Sequence, residues 1–447
     1  MLYTLGVVIF VVGLLLSIAL HELGHLMPAK KFGVKVTQYM VGFGPTAWSR
    51  KRGETEYGVK WIPLGGYIRM IGMVPPRPDG SRSRWPRRMA TAIEDFRQVS
   101  RSEVRPGDLD HEFYRLTPGK KMIVMLGGPT MNLVIYLVLT VGILGLLGTP
   151  HYDATTTIGS ISKCVVPVTA PVAQQKDCPR PDSPAYAAGL QPGDRVVSLA
   201  GTPITTWDQA VKIIEASPGK ALPLSVVRHG TTVQTTITPV ENVKYANDAG
   251  TKTVRAGFIG VGSNIHHYYT AVPLPQIPGQ IVGQIHKGLD AIASYPQKVA
   301  SLWGTVFEGK PRDINGAIGV VGIGRIGGDL AQSNAIDVQD KIFALVGLLA
   351  SVNLLLFFFN LLPLLPLDGG HVAGALVEAV KRGRARLRVR ATSGAEPDGE
   401  APPARPQIFV DTAQMLPVMY AVASVLVLLT LLTFYADIVK PVQVLGG

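Results

Sequence analysis

HELGH, residues 21–25, closes an apolar run that begins at Leu2 and reads LYTLGVVIFVVGLLLSIAL over 2–20. That run is long enough to cross the hydrocarbon core of a bilayer, which takes about 20 residues. An ionised side chain at mid-bilayer costs on the order of 2.5–3.5 kcal/mol to insert. Three ionisable groups within five residues therefore demand a compensating role. On a helix, positions i and i+4 share a face, so His21 and His25 can bind one metal ion together. Glu22, one residue along, is placed to act as general base toward an attacking water. Read this way, HELGH is half of a zinc site at the end of a membrane helix.

A catalytic zinc usually takes three protein ligands and keeps one position open. The best candidate for the third lies near the other end of the chain, in NLLPLLPLDGG (360–370). Asp368 is a lone carboxylate at the end of an apolar run that also holds Asn353 and Asn360. Pro363 and Pro366 break the helix there, and broken helices at membrane depth are tolerated where the backbone lines a cavity. His371, three residues on, is the rival ligand. His266 and His267 lie apart from this cluster and read as surface histidines.

Mean hydropathy is +0.25, and the apolar residues fall in blocks. Four blocks are long enough to span, roughly 2–26, 122–147, 342–367 and 415–435. The first lacks a basic start and an A-x-A-like cleavage site, so it reads as a retained helix and not as a cleaved signal. Lys and Arg crowd the segments 27–121 and 368–414, most densely at KRGRARLRVR (381–390), whereas 148–340 is balanced. Basic flanks face the cytoplasm. Both termini and the long middle segment are thus expected outside, with the inner ends of spans one and three on the same side, where His21, His25 and Asp368 can meet. A basic excess beside membrane spans reflects topology and lipid contact, so no nucleic-acid partner is expected.

Segment 27–73 contains VTQYMVGFGPTAWSRKRGETEYGVKWIPLGGYIRM (36–70), which reads as short strands joined by tight turns close to the membrane. Segment 74–121 reads as a basic, solvated linker with little periodicity and room for a helix or two. Residues 155–240 read as a compact soluble domain. It holds a short helix ending at Gly189, a strand over 195–199, an amphipathic helix over 205–217 and a hairpin across Arg228-His229-Gly230. Within 241–340, residues 278–307 have the spacing of an amphipathic surface helix. GAIGVVGIGRIGG (316–328) contains G-x-G-x-x-G at Gly322, Gly324 and Gly327, but no βαβ unit surrounds it. A loop is expected there in place of a nucleotide site. The two cysteines, Cys164 and Cys178, both lie in the outside segment, where a disulfide between them is compatible with an oxidising compartment.

These pieces together resemble the site-2 proteases, zinc metalloproteases that cut within membrane spans, and most closely their PDZ-containing bacterial branch, that of the regulator of sigma-E proteases. The matching elements are HELGH, GFGP (42–45), GGPTMN (127–132), a PDZ-like core AGLQPGDRVVSLAG (188–201), and NLLPLLPLDGG. The resemblance implies Zn2+ as cofactor, His21, His25 and Asp368 as ligands, and Glu22 as catalytic base. It implies a β-loop that presents an extended substrate through the region of Gly42 and Gly44, with Asn360 and Asn132 as polar contacts to that substrate. The fold class it implies is a polytopic α-helical membrane protein of about four transmembrane helices, with a membrane-associated β-loop and one extracytoplasmic PDZ-like α+β domain. The location is the bacterial cell membrane, and 341–371 and 372–414 become the third span and an inner loop. Implied substrates are single-pass membrane proteins, such as anti-sigma factors or remnant signal peptides, already trimmed by an upstream extracytoplasmic protease. Many relatives carry two PDZ domains, whereas this chain has signal for one.

Two other classes compete. A non-catalytic membrane scaffold or chaperone would use the PDZ-like module alone, and would not need Glu22. A zinc transporter would also place His and Asp in membrane helices, but it explains neither the PDZ-like module nor the single H-E-x-x-H.

Overall fold

The computed structural model describes residues 1–77, 85–167, 182–245, 253–310, 312–313, 316–333, 336–392 and 409–442. The chain forms two compact units. One comprises Met1–Leu147 with Ala271–Gly447, and the other Gly148–Thr270.

In the first unit, helix α1 (Leu2–Lys31) is followed by long strands β1 (Val36–Arg52) and β2 (Thr55–Met70). Helices α2 (Arg87–Ser102) and α3 (Pro118–Leu146) complete this half. Among the described residues, four helical stretches are long and apolar enough to cross a membrane: Leu2–Lys31, Pro118–Leu146, Val338–Leu361 and Thr412–Val439. The expected short strands with tight turns are in fact two long strands that bend on themselves. Residues 36–41 pair with 66–70 on one side, and 38–41 pair with 56–59 on the other. The bends fall at Gly42 and Gly44, whose positive φ angles of 93° and 82° a residue with a Cβ rarely adopts. The stretch from 85 onward carries the helical structure expected of the linker. The helix 87–102 places Ile93 in a small apolar cluster with Val74, Ala413 and Leu416, and Phe113 joins the core around α1 and α3. Single buried side chains between charged ones leave too weak a period to read from sequence.

The second unit contains β3 (Thr149–Ile161), α4 (Pro184–Ala187), β4 (Arg195–Leu199), β5 (Thr202–Pro203), α5 (Trp207–Glu215), β6 (Leu222–Arg228), β7 (Thr231–Ile237), β8 (Val240–Tyr245), β9 (Thr253–Phe258) and β10 (Val261–Thr270). Its main sheet runs β10-β3-β4-β6-β7, with β5 beside β4. The core is apolar, built from Ile158, Leu199, Ala210, Ile214, Leu224, Val226 and Ile237. Helix α5 starts with a capping box between Thr206 and Gln209, which satisfies free N–H groups at its first turn. The sequence expectations for 183–237 match these elements closely. The unit extends beyond 155–240, because strands at either end, β3 and β10, pair with each other along the sheet edge. Cys164 is disulfide-bonded. The other cysteine, Cys178, lies outside the described residues.

Back in the first unit come α6 (Ile277–Ala293), α7 (Tyr295–Phe307), α8 (Val320–Gln332), α9 (Val338–Leu361), α10 (Asp368–Thr392) and α11 (Leu416–Val439). The amphipathic 278–307 stretch is two helices, divided at Ser294. The Gly-rich stretch expected as a loop is largely helix α8. Its glycines let it lie directly on α1: a Cβ on Gly6 would sit 2.5 Å from the Gly327 carbonyl. Asp437 of α11 accepts hydrogen bonds from Gly319 and Gly322 N–H, each at 2.9 Å, which anchors the start of α8. The inner loop expected over 372–414 begins as helix α10, where Val372 and Ala375 pack inward.

Candidate metal centre

The site begins with the crossing of α1 and α3. Gly24 of HELGH faces Gly127, and each would drive a Cβ into the other's backbone. A Cβ on Gly128 would lie 2.7 Å from His21 Nε2 and nearer still to His25 Nε2. The paired glycines thus let α3 approach the histidine face of α1 at backbone distance. This use of GGPTMN is not readable from the sequence, since small residues signal nothing until the helices are seen to cross.

The third side of the site comes from the chain break between α9 and α10. Helix α9 ends at Leu361, and Pro363 and Pro366 supply no backbone N–H to continue it. The chain turns and restarts as α10 with Asp368 in its first turn. Gly369 and Gly370 allow this turn to lie against its own approach, since Cβ atoms there would come within 2.5–2.6 Å of the backbone at Leu361 and Leu365.

These constraints bring the two ends of the chain together. Asp368 Oδ2 lies 3.4 Å from His21 Nε2 and 3.3 Å from His25 Nε2, and the two Nε2 atoms are 3.3 Å apart. The three ligand atoms lie within 4.8 Å of one another. Of the two rival ligands, Asp368 joins the cluster. His371 only lines the neighbouring cavity.

The proton inventory tests whether a cation fits. His25 Nδ1–H donates to the Val124 carbonyl at 2.8 Å, so in the neutral ring Nε2 presents a lone pair. Asp368 Oδ2 is buried without a hydrogen-bond donor. With both rings neutral and protonated at Nδ1, three acceptors converge with no proton between them, an arrangement that repels unless a cation sits at its centre. His21 follows the same logic. Its Nδ1 lies 3.1 Å from the Asn132 side-chain amide, and with the amide nitrogen facing the ring the amide oxygen is buried without a partner. Turned by 180°, that oxygen accepts the Nδ1–H proton, which leaves His21 Nε2 free for metal. The donor set of two imidazoles and one carboxylate with an open side suits zinc.

Beside the cluster lies a cavity of about 320 Å³ lined by Glu22, Gly66, Tyr67, Ile68, Met125, Asn360 and Asp368 among others. Glu22 is buried, and Ile68 lines the same cavity beside it. Gly66 lets the strand lie this close, since a Cβ there would meet Glu22 Cγ at 2.9 Å. The strand arm 66–70 pairs only with 36–41 among the described residues, so its other edge is unpaired. Tyr39 ties the sheet to α1 through its hydroxyl, 2.6 Å from the Ala19 carbonyl, and Asn353 ties α9 to Ser17 at 3.0 Å. Of the four residues implied as substrate contacts, Asn360 lines the cavity. Asn132 is buried against His21, and Gly42 and Gly44 lie in the strand bends and not among the lining residues.

Two histidines and a glutamate on a membrane-length helix, with an aspartate placed just past the end of a second such helix, form the kind of cluster that a metallopeptidase uses. The chain matches the model of peptidase family M50 over residues 9–394. It is 34% identical to the zinc metalloprotease Rip1 of Mycobacterium tuberculosis, over 99% of this chain and 99% of that protein. It is 27% identical to the zinc metalloprotease RasP of Geobacillus kaustophilus, over 81% of this chain and 86% of the relative. It is 24% identical to the regulator of sigma-E protease RseP of Escherichia coli, over 85% and 92%. The chain belongs to peptidase family M50, the site-2 type of zinc metalloprotease.

Proposed function

We propose that this chain is a zinc-dependent endopeptidase that cuts the membrane-spanning segment of single-pass membrane proteins, with His21, His25 and Asp368 as the metal ligands. The observation that carries this reading is the proton-poor convergence of those three side chains beside a buried Glu22 and an unpaired strand edge. A peptide bond in a membrane helix is internally hydrogen-bonded and dry, so it must be unwound before it can be cut. The edge of strand arm 66–70 holds the unwound segment by main-chain pairing. Asn360 offers a polar contact to it from across the cavity. When bound, Zn2+ supplies Lewis acidity that polarises the scissile carbonyl and lowers the pKa of water toward about 7. Glu22 takes a proton from the attacking water and delivers it to the leaving amine nitrogen. Asn132 and the Val124 carbonyl hold the two imidazoles in the tautomers that binding requires.

The basic flanks of the spans support a cell-membrane orientation with the metal centre near the cytoplasmic face and both termini outside. On that topology the Gly148–Thr270 unit is extracytoplasmic and PDZ-like. It screens substrates that another protease has already shortened, with anti-sigma factors and remnant signal peptides as the substrate class. The test uses cells lacking the wild-type copy and a tagged single-pass substrate. Glu22→Gln is expected to lower cleavage by roughly 10²–10⁴-fold while the purified variant retains its zinc. Undiminished release of the cytoplasmic fragment would overturn the reading.

A further inference from the structure

Helix α10 carries Asp368 in its first turn and Glu378 ten residues further on, about 15 Å along the axis. Glu378 is 2% exposed, and its carboxylate lies 2.7 Å from Lys121 Nζ and 2.7 Å from Arg382 Nη2. Lys121 belongs to α3 and stands three residues before Val124, whose carbonyl holds His25 Nδ1–H. The buried ion pair therefore joins the helix that presents Asp368 to the helix that orients His25. The first turn of α10 carries glycine at 369 and 370, so it has few side chains of its own to set its position along α3. The pair is closed from outside by Phe409. Its ring lies 5.6 Å from Lys121 Nζ and 5.7 Å from Arg382 Cζ, and Tyr114 meets it edge-on at 5.0 Å. The same strand of chain is held again where Arg97 Nη2 pairs with Asp411 at 3.0 Å and Trp85 Nε1 donates to the Gln414 carbonyl at 2.9 Å.

A buried ion pair is a poor source of stability, because desolvation offsets its attraction, but it is directional and fixes register. We infer that Lys121 and Glu378, with Arg382 and capped by Phe409, are positioning residues for the metal centre: they set the register of α10 against α3 and so the reach of Asp368 to the two histidines. This rests on the metal-centre reading above. An α-helix is stiff over three turns, so a shift at Glu378 is carried to Asp368, where about 1 Å of misplacement matters.

The test measures zinc affinity of the purified full-length chain by competition with a chelator, alongside its thermal midpoint. Glu378→Gln and Lys121→Met are each expected to weaken zinc binding about tenfold, on the scale of outer-shell changes at metal sites. The double variant is expected to be no weaker than the worse single one, because both act through one contact. Phe409→Ala, at a half-buried cap, should weaken binding about threefold. Wild-type zinc affinity in a folded Glu378→Gln or Lys121→Met variant would overturn the inference. Should neither variant fold, unchanged affinity in Phe409→Ala would overturn it as well. A wild-type chain that binds no zinc would instead refute the metal-centre reading itself.

Discussion

The first unit buries two charged clusters about three helical turns apart on α10, and they are opposites. At Asp368 a carboxylate meets two imidazole nitrogens, which in the neutral Nδ1–H rings leave no proton among the three. At Glu378 a carboxylate meets an ammonium and a guanidinium that already neutralise it. Burial is similar in kind, but the charge accounts differ. The Glu378 carboxylate is matched by cations of the chain itself, whereas the Asp368 carboxylate faces only imidazoles. A carboxylate left to neutral nitrogens suits a cation-binding site, and one matched by the chain's own cations suits a fastener.

That contrast is broken most sharply by removing the Asp368 carboxylate. Asp368→Asn keeps the shape but loses the anionic ligand, and is expected to weaken zinc binding by more than the roughly 10–100-fold seen for outer partners. Proteolysis should fall with it while the fold persists, since relieving three converging acceptors removes a repulsion. His371→Ala serves as the paired control and should leave zinc affinity near wild type. If His371→Ala is instead the damaging change, the ligand assignment moves three residues along α10.

A smaller effect is expected one shell out. Asn132→Ala should weaken zinc binding about tenfold by leaving His21 Nδ1–H without an acceptor. Asn132→Asp retains an oxygen at that place and should preserve most of the affinity. Equal loss in both variants would mean that the amide nitrogen, and not the oxygen, faces the ring. The measurement is again chelator competition.

How legible these clusters were in the sequence follows from the same contrast. His21, Glu22, His25 and Asp368 stand out because ionisable groups are rare in apolar runs, and a lone carboxylate after NLLPLLPL has few other uses. Lys121, Glu378 and Arg382 do not stand out. Two of the three belong to basic runs that already have an explanation in membrane topology. The glycines were the least legible. Gly24, Gly127 and Gly128 acquire meaning only where two helices cross, and Gly322, Gly324 and Gly327 resembled a loop. Helix α8 forms despite the poor helix propensity of glycine because contact with α1 and the Asp437 anchor outweigh it. The soluble unit was legible over 183–237, where turn residues and apolar periods alternate cleanly. Its flanking strands β3 and β10, rich in Thr, His and Tyr, show no such alternation of apolar and polar residues.

The mildest prediction extends the comparison to a third buried carboxylate, in the Gly148–Thr270 unit. Asp194 is fully buried and, like Glu378, matched by a cation of the chain itself. It accepts from Arg228 Nε and Nη2, each at 2.7 Å, and from the Gln191 N–H at 2.9 Å. The Arg228 guanidinium holds its carboxyl below the ordinary value of 3.8. A carboxyl whose folded pKa is depressed stabilises the fold above its unfolded pKa, and that contribution disappears as pH falls through the folded value. Between pH 8 and 5 the pair should therefore contribute a constant amount, and its loss should begin only below about pH 4. Asp194→Asn is expected to destabilise this unit by about 2 kcal/mol at neutral pH, the scale of a lost charged hydrogen-bond set. It should also flatten the acid limb of the unit's stability. Hydrogen exchange of β4 and β6 in the full-length protein, followed from pH 7 to 3.5, reads both effects. Zinc affinity at the metal centre should not change. A variant that lost zinc while its strands stayed protected would show that this carboxylate is not the self-contained fastener its partners make it.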